Sequence, residues 1–141
     1  MQMKNFKQIL TYTYEQKKIR KWDKIYWAID LHDTIIEGKY NKLSQGASIF
    51  HYAKETLDYL YNSEFHRTIL WTSSYPEAVN DILKRFDLKF NYFNANPECP
   101  NNELCHFDNK FYFNLLLDDK SGFESSDWKV IHETLMILDN A

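Results

Sequence analysis

Apolar runs that alternate with amphipathic stretches predict the secondary structure of this chain. The runs that predict strands cover residues 25–29, 68–72, 89–93 and 111–117. The first of them, I-Y-W-A-I, has no polar break, which is typical of a strand buried on both faces of a parallel sheet. Apolar residues spaced three or four positions apart predict helices over residues 3–22, 47–62, 77–86 and 127–138.

The alternation of strands with helices predicts the fold class. Parallel strands joined by right-handed crossovers are the usual result of this order. We therefore predict an α/β fold, a Rossmann-like three-layer sandwich whose mainly parallel sheet of about four to five strands has flanking helices. The 141 residues are enough for one domain with a substantial core. We place this core domain at residues 25–141, after an amino-terminal helical extension at residues 1–24.

Composition excludes some classes of partner. Charged residues make up 26% and hydrophobic residues 44% of the chain, as in ordinary globular proteins. The net charge of −3 gives no electrostatic footprint for duplex nucleic acid. No apolar run approaches the roughly 18 residues of a membrane span, and the amino terminus lacks the features of a signal peptide. We therefore expect a cytoplasmic protein in which Cys99 and Cys105 stay reduced.

Polar side chains stand at the carboxyl ends of three predicted strands. Asp30 follows the first strand, Thr72 ends the second, and Asp118 and Asp119 follow the fourth. Because the carboxyl ends of parallel strands share one edge of the sheet, these side chains should converge there. Carboxylates gathered in one crevice repel one another unless a cation lies between them, and oxygen ligands favour Mg²⁺. The pattern predicts a Mg²⁺-dependent phosphate site.

The same residues resemble the motifs of the haloacid dehalogenase (HAD) superfamily, over about residues 25–138. The family's first motif is an apolar strand followed by D-x-D-x-T. Here Asp30 and Thr34 match it, while His32 stands in the place of the second Asp and Asp33 in the place of a common Gly. The pieces L-W-T-S and L-L-L-D-D then follow on later strands in the family's order.

This resemblance implies a role for each matching residue. Asp30 would be the nucleophile that takes the phosphoryl group as an aspartyl-phosphate. Thr72 and Ser73 would hold the phosphoryl oxygens. Asp118 and Asp119 would bind Mg²⁺ together with Asp30, and His32 would offer its backbone carbonyl to the metal.

The family's third motif is a single Lys that neutralises charge between the nucleophile and the phosphate. We assign it to Lys110, which precedes the fourth predicted strand after a loop predicted at residues 94–109. Lys84 and Lys89 are the alternatives, although Lys84 falls within a predicted helix and should face solvent.

His32 is the departure that affects activity most. In the family, the second Asp protonates the leaving oxygen and then activates the water. A His has a pKa near neutrality and suits both tasks. Beside carboxylates and a phosphate it would alternatively stay protonated and act only as a charge clamp.

We therefore expect a Mg²⁺-dependent phosphatase of phosphomonoesters, or alternatively a HAD-like binding or assembly module without catalysis. Residues 35–48 leave room for a short flap but not for a cap domain. An open crevice of this kind would accept a phosphorylated metabolite, a nucleotide or a nucleic-acid end, or would be covered by a second copy in a homo-oligomer.

Overall fold

A four-stranded parallel sheet lies at the centre of the computed structural model, which describes residues 5–37, 48–107 and 110–140. The strands in chain order are β1 (Ile25–Asp30), β2 (Ile36–Glu37), β3 (Ser48–Ile49), β4 (His66–Trp71), β5 (Tyr92–Phe93) and β6 (Leu115–Leu117). The central sheet has the order β5-β4-β1-β6 with every pairing parallel, and β2 pairs antiparallel with β3. The predicted α/β, Rossmann-like sandwich is confirmed.

Four helices accompany this sheet in the part of the chain that the structure describes. They are α1 (Phe6–Arg20), α2 (Ala53–Asn62), α3 (Pro76–Arg85) and α4 (Asp127–Asp139), and a short 3-10 turn covers Asp119–Ser121. Helix α4 packs against α1 and α2. Among the described helices, none combines the length and apolar character that crossing a membrane requires.

The two faces of β1 are buried differently. Ile25, Trp27 and Ile29 point into the larger apolar cluster, which also receives side chains from all four helices. Ala28 belongs to the smaller cluster on the opposite face, with Phe111 of the segment before β6. Successive side chains of a strand point to opposite faces of the sheet, so these two clusters lie on opposite faces. Helices therefore cover one face of the sheet, and an aromatic segment covers the other.

Asparagine side chains explain why two strands are shorter than the apolar runs that predict them. The Asn114 N–H donates to the Tyr26 carbonyl, and the Tyr26 N–H donates to Asn114 Oδ1 (both 2.8 Å). Asn91 pairs in the same manner with Thr68, at 3.0 and 2.8 Å. A side-chain amide thus replaces one step of the backbone ladder, so the regular pairing of β5 and β6 begins only beyond these residues.

The helix predicted over residues 47–62 begins later than expected. Residues Ser48–Ile49 form β3, and Tyr52 adopts a left-handed conformation (φ 67°) directly before α2. Most of the predicted flap, at residues 38–47, lies outside the described residues. Its two ends pair as β2 and β3, which brings them together.

A buried polar network joins α1, α2 and α4 to the amino end of β4. The Trp27 indole N–H donates to His66 Nδ1 (2.9 Å), so His66 carries its proton on Nε2, which lies 3.0 Å from Tyr14 Oη. The hydroxyls of Tyr14 and Tyr59 both donate to the Asp139 carboxylate. Burial lowers the pKa of His66, which keeps the ring neutral. This network therefore lies at the end of β4 that is remote from the carboxyl edge of the sheet.

Candidate functional site

Three carboxylates converge at the carboxyl edge of the sheet. Asp30 ends β1, Asp118 follows the neighbouring strand β6, and Asp119 opens the 3-10 turn. One carboxylate oxygen from each of the three lies within 4.8 Å of the other two. The predicted convergence of these side chains is confirmed, and their chemical roles stay a prediction.

Thr34 holds two members of this acidic cluster in place. Its hydroxyl accepts the backbone N–H of Asp119 (3.1 Å) and lies 3.3 Å from Asp30 Oδ2 as a donor. The Trp128 indole N–H donates to the Thr34 carbonyl (2.7 Å), which fixes this turn against α4. Asp33 has a φ of 61°, in the left-handed region where Gly is favoured. The contacts of Thr34 with Asp30, Asp119 and Trp128 therefore give this motif residue a structural role.

The environment of Asp30 disfavours its charged form. Burial raises the pKa of the Asp30 carboxyl to about 7, and the nearby charge of Asp118 and the hydrogen bond with Asp119 act in the same direction. A hydrogen bond from the Leu31 backbone opposes them in part. Three oxygen donors that repel one another are a set that a hard divalent cation would neutralise, so these residues fit Mg²⁺.

A cavity of about 330 Å³ adjoins the cluster and is lined by five of the residues predicted from the sequence: Asp30, His32, Thr72, Ser73 and Asp118. Strand β4 brings Thr72 and Ser73 there because it ends directly before them, beside β1. The cavity therefore combines carboxylates with hydroxyl groups and an imidazole.

Four further residues line the same cavity and were missed by the sequence analysis: Trp71, Ser74, Asn94 and Lys120. Asn94 follows β5 directly, so the rule on strand ends applies to it as well. Its carboxamide accepts the Thr72 N–H (2.8 Å) and donates to the Thr72 carbonyl (3.0 Å), which ties the loops after β4 and β5 together. The sequence therefore gave a reason to place Asn94 at the site. For Lys120 it gave none beyond its position after Asp118 and Asp119.

His32 lies at the inner side of the cavity and is only 6% exposed. Its Nδ1 is 3.2 Å from Ser74 Oγ, and the Ser74 N–H donates to Thr72 Oγ1 (3.1 Å). Burial lowers the pKa of His32, while the charge of Asp33 opposes that shift. The lowered pKa favours a neutral ring and so argues against the protonated charge clamp considered for His32.

The structure separates the two lysines that are nearest in sequence to the acidic pair. Lys120 lines the cavity of Asp30, and its backbone N–H donates to Asp118 Oδ1 (3.0 Å). Lys110, the predicted third-motif residue, lines a neighbouring cavity with Phe111 and Trp71. Trp71 is common to both cavities, so Lys110 lies near the predicted site but is not in the lining of the Asp30 cavity.

The cysteines of this chain take no part in the acidic cluster. Cys99 and Cys105 are both free thiols, the first half-buried and the second exposed. Among the residues that the structure describes, the group of side chains suited to a metal ion is that of Asp30, Asp118 and Asp119.

Neither a protein-family model nor a curated protein matches this chain. A solved structure of a conserved protein coded by a locus of Bacteroides thetaiotaomicron is similar, with 27% sequence identity and a TM-score of 0.59. The similarity covers 84% of this chain and 93% of that protein. It supports the fold over most of the chain.

Proposed function

We propose that this protein is a HAD-like phosphatase without a cap domain, which hydrolyses a phosphomonoester through an aspartyl-phosphate on Asp30. The observation that carries the proposal is the convergence of Asp30, Asp118 and Asp119 beside a cavity with hydroxyl, imidazole and ammonium groups. Reactions of phosphate esters need both charge neutralisation and an aligned nucleophile, and this edge of the sheet offers groups for each.

Asp30, Asp118 and Asp119 would hold Mg²⁺, with the backbone carbonyl of His32 as a further ligand. When bound, the ion would neutralise the carboxylates and stabilise negative charge on the phosphoryl oxygens. Hydroxyls of Thr72 and Ser73 would donate to those oxygens.

The reaction would proceed in two steps. An Asp30 oxygen attacks phosphorus, the bond between phosphorus and the leaving oxygen breaks, and that oxygen receives a proton from His32. A water then gives a proton to His32 and attacks phosphorus, which releases inorganic phosphate and restores the Asp30 carboxylate. The first step requires the protonated ring and the second step the neutral ring, and burial favours the neutral form.

The function is tested by adding Mg²⁺ to the purified chain with p-nitrophenyl phosphate and measuring release of p-nitrophenol. We expect turnover that requires Mg²⁺ and ends when the metal is chelated. Absence of turnover on this compound and on a panel of phosphorylated metabolites and phosphorylated oligonucleotides would contradict the proposal.

Mg²⁺ affinity should depend on pH because protons compete for Asp30. The pKa of Asp30 is about 7 without metal, so above that pH the carboxylate is already free to bind. Below it, each bound ion must displace a proton, and the apparent affinity should fall by about tenfold per pH unit. Titration calorimetry between pH 8 and pH 5 checks this, and an affinity that does not change with pH would contradict it.

The lysine assignment calls for a comparison of Lys120→Ala with Lys110→Ala. We expect Lys120→Ala to weaken binding of inorganic phosphate to the Mg²⁺-loaded protein by about 1.5–3 kcal/mol, since a charge-assisted contact is lost. The matched control is Lys84→Ala on α3. A larger loss for Lys110→Ala than for Lys120→Ala would restore the assignment made from the sequence.

A binding or assembly module without turnover is the second candidate. The observation that favours it is the lowered pKa of His32, because a neutral imidazole cannot protonate a leaving group. Such a module would bind Mg²⁺ and phosphate normally but would not hydrolyse the ester.

A further inference from the structure

Trp71 occupies an unusual position at the end of β4. It pairs in register with Asp30 on the neighbouring strand, yet its side chain is 43% exposed. Adjacent strands lie about 4.8 Å apart, so the indole begins one strand spacing from the candidate nucleophile. Large exposed aromatic side chains next to a polar site are a recurrent means of ligand contact.

A second cavity, of about 410 Å³, adjoins the cavity of Asp30. The two share Trp71 and Asn94, and the second is further lined by Pro97, Pro100 and Phe111. No charged side chain contributes to its wall among the described residues. Its volume falls in the range of about 300–1,000 Å³ that is typical of small-molecule sites.

The walls of this second cavity are held by internal hydrogen bonds. Asn96 Nδ2 donates to the Tyr112 carbonyl (2.9 Å), and Asn96 Oδ1 accepts the Glu98 N–H (3.1 Å). The rings of Trp71 and Phe111 meet edge to face, with centroids 5.4 Å apart. The cavity is therefore already formed without a ligand, which lowers the entropic cost of binding.

We propose that this second cavity binds an uncharged aromatic or heteroaromatic ring carried by the leaving group of the phosphomonoester, with Trp71 as its main contact. The proposal rests on the proposed function. A wall that carries the rings of Trp71, Phe107 and Phe111 and no charged side chain favours a flat ring, because stacking gains area without burying charge. A second phosphate or another charged group would lose hydration there without a countercharge. The carboxamides of Asn94 and Asn96 already hold the loops, so a polyhydroxyl group finds few partners.

The test compares substrates with and without a ring. Phenyl phosphate carries the ring directly on the ester oxygen, adenosine monophosphate carries it beyond a sugar, and glycerol phosphate has none. The measured quantity is kcat/KM for each ring-bearing substrate divided by kcat/KM for glycerol phosphate. We expect Trp71→Ala to lower this ratio by roughly 5- to 150-fold for at least one of the two, and Trp71→Phe to recover part of it.

Two more variants separate stacking from other effects. Ala95→Leu places a bulkier side chain without a ring in the wall of the second cavity and does not alter Trp71, so it should lower the same ratio. Tyr12→Ala removes another exposed aromatic ring, on α1, and should leave the ratio within twofold. Ratios that change less than twofold in both Trp71→Ala and Ala95→Leu overturn the proposal.

Direct binding separates this proposal from the phosphatase itself. Adenosine and phenol lack a phosphate, and their affinities can be measured by NMR titration of the wild-type chain and of Trp71→Ala. If no phosphate ester is hydrolysed, a loss of affinity of at least fivefold in Trp71→Ala still supports the ring site while the proposed function fails. Absence of saturable binding of both compounds, or equal affinity in the two proteins, overturns the ring site.

Discussion

Asp30→Asn should remove phosphatase activity while the fold is retained. The amide is nearly isosteric with the carboxylate but is not a nucleophile toward phosphorus, so we expect kcat to fall on the order of 10³-fold or more. The measurement is Mg²⁺-dependent release of p-nitrophenol under saturating substrate. A matched control is Asp23→Asn, which makes the same chemical change at an exposed position before β1.

Stability of the same variant provides an independent test of the acidic cluster. The pKa of Asp30 is raised from 3.8 to about 7, so the folded state holds this proton more tightly than the unfolded state. The wild-type chain therefore loses stability as pH rises from about 4 to about 7, and an Asn at this position does not titrate. Without metal, Asp30→Asn should melt at a higher temperature than wild type above pH 7, and this difference should shrink toward pH 4.

These two measurements distinguish the covalent mechanism from a purely structural role of Asp30. A variant that keeps most of its kcat but gains stability would support the repulsion among the three carboxylates. It would also rule out the mechanism through an aspartyl-phosphate. A variant that loses kcat and also melts below wild type at pH 8 would indicate instead that the carboxylate supports the fold.

The sequence predicted the fold best where an unbroken run of apolar residues forms a buried strand. The unbroken run at residues 25–29 became β1 almost unchanged, ending at Asp30. The strand predicted over residues 111–117 was only partly right. Phe111 and Phe113 pack over the second face of the sheet, and only Leu115–Leu117 form a strand. Apolar aromatics suit a buried strand and a packed cover equally, and periodicity does not distinguish them.

The site was predictable to the extent that it depends on strand ends. Thr72 ends an apolar run and Asp30 and Asp118 follow one, and their meeting at one edge is a consequence of parallel pairing. The direction of an exposed lysine follows from local turns, such as the 3-10 turn that begins at Asp119 and contains Lys120, which a pattern of residue types does not encode. Trp71 belonged to an apolar run, so its exposure was visible only in the structure.

His32→Ala should lower kcat by roughly 10²–10⁴-fold if the imidazole transfers protons. His32→Asp should restore part of that rate, because it recreates the carboxylate that the family motif has at this position. His51→Ala is the matched control, since His51 is exposed and lies away from the Asp30 cavity.

The pH profile identifies the step in which His32 acts. Burial lowers its pKa below 6.5, so at neutral pH most of the rings are unprotonated. If proton removal from water limits kcat, the rate should fall as pH drops through this pKa, and that limb should vanish in His32→Ala. If protonation of the leaving oxygen limits kcat, the rate should instead fall as pH rises through it. If His32→Ala is as fast as wild type, His32 contributes only its backbone carbonyl as a metal ligand. If the wild type is inactive while His32→Asp is active, the binding module is favoured.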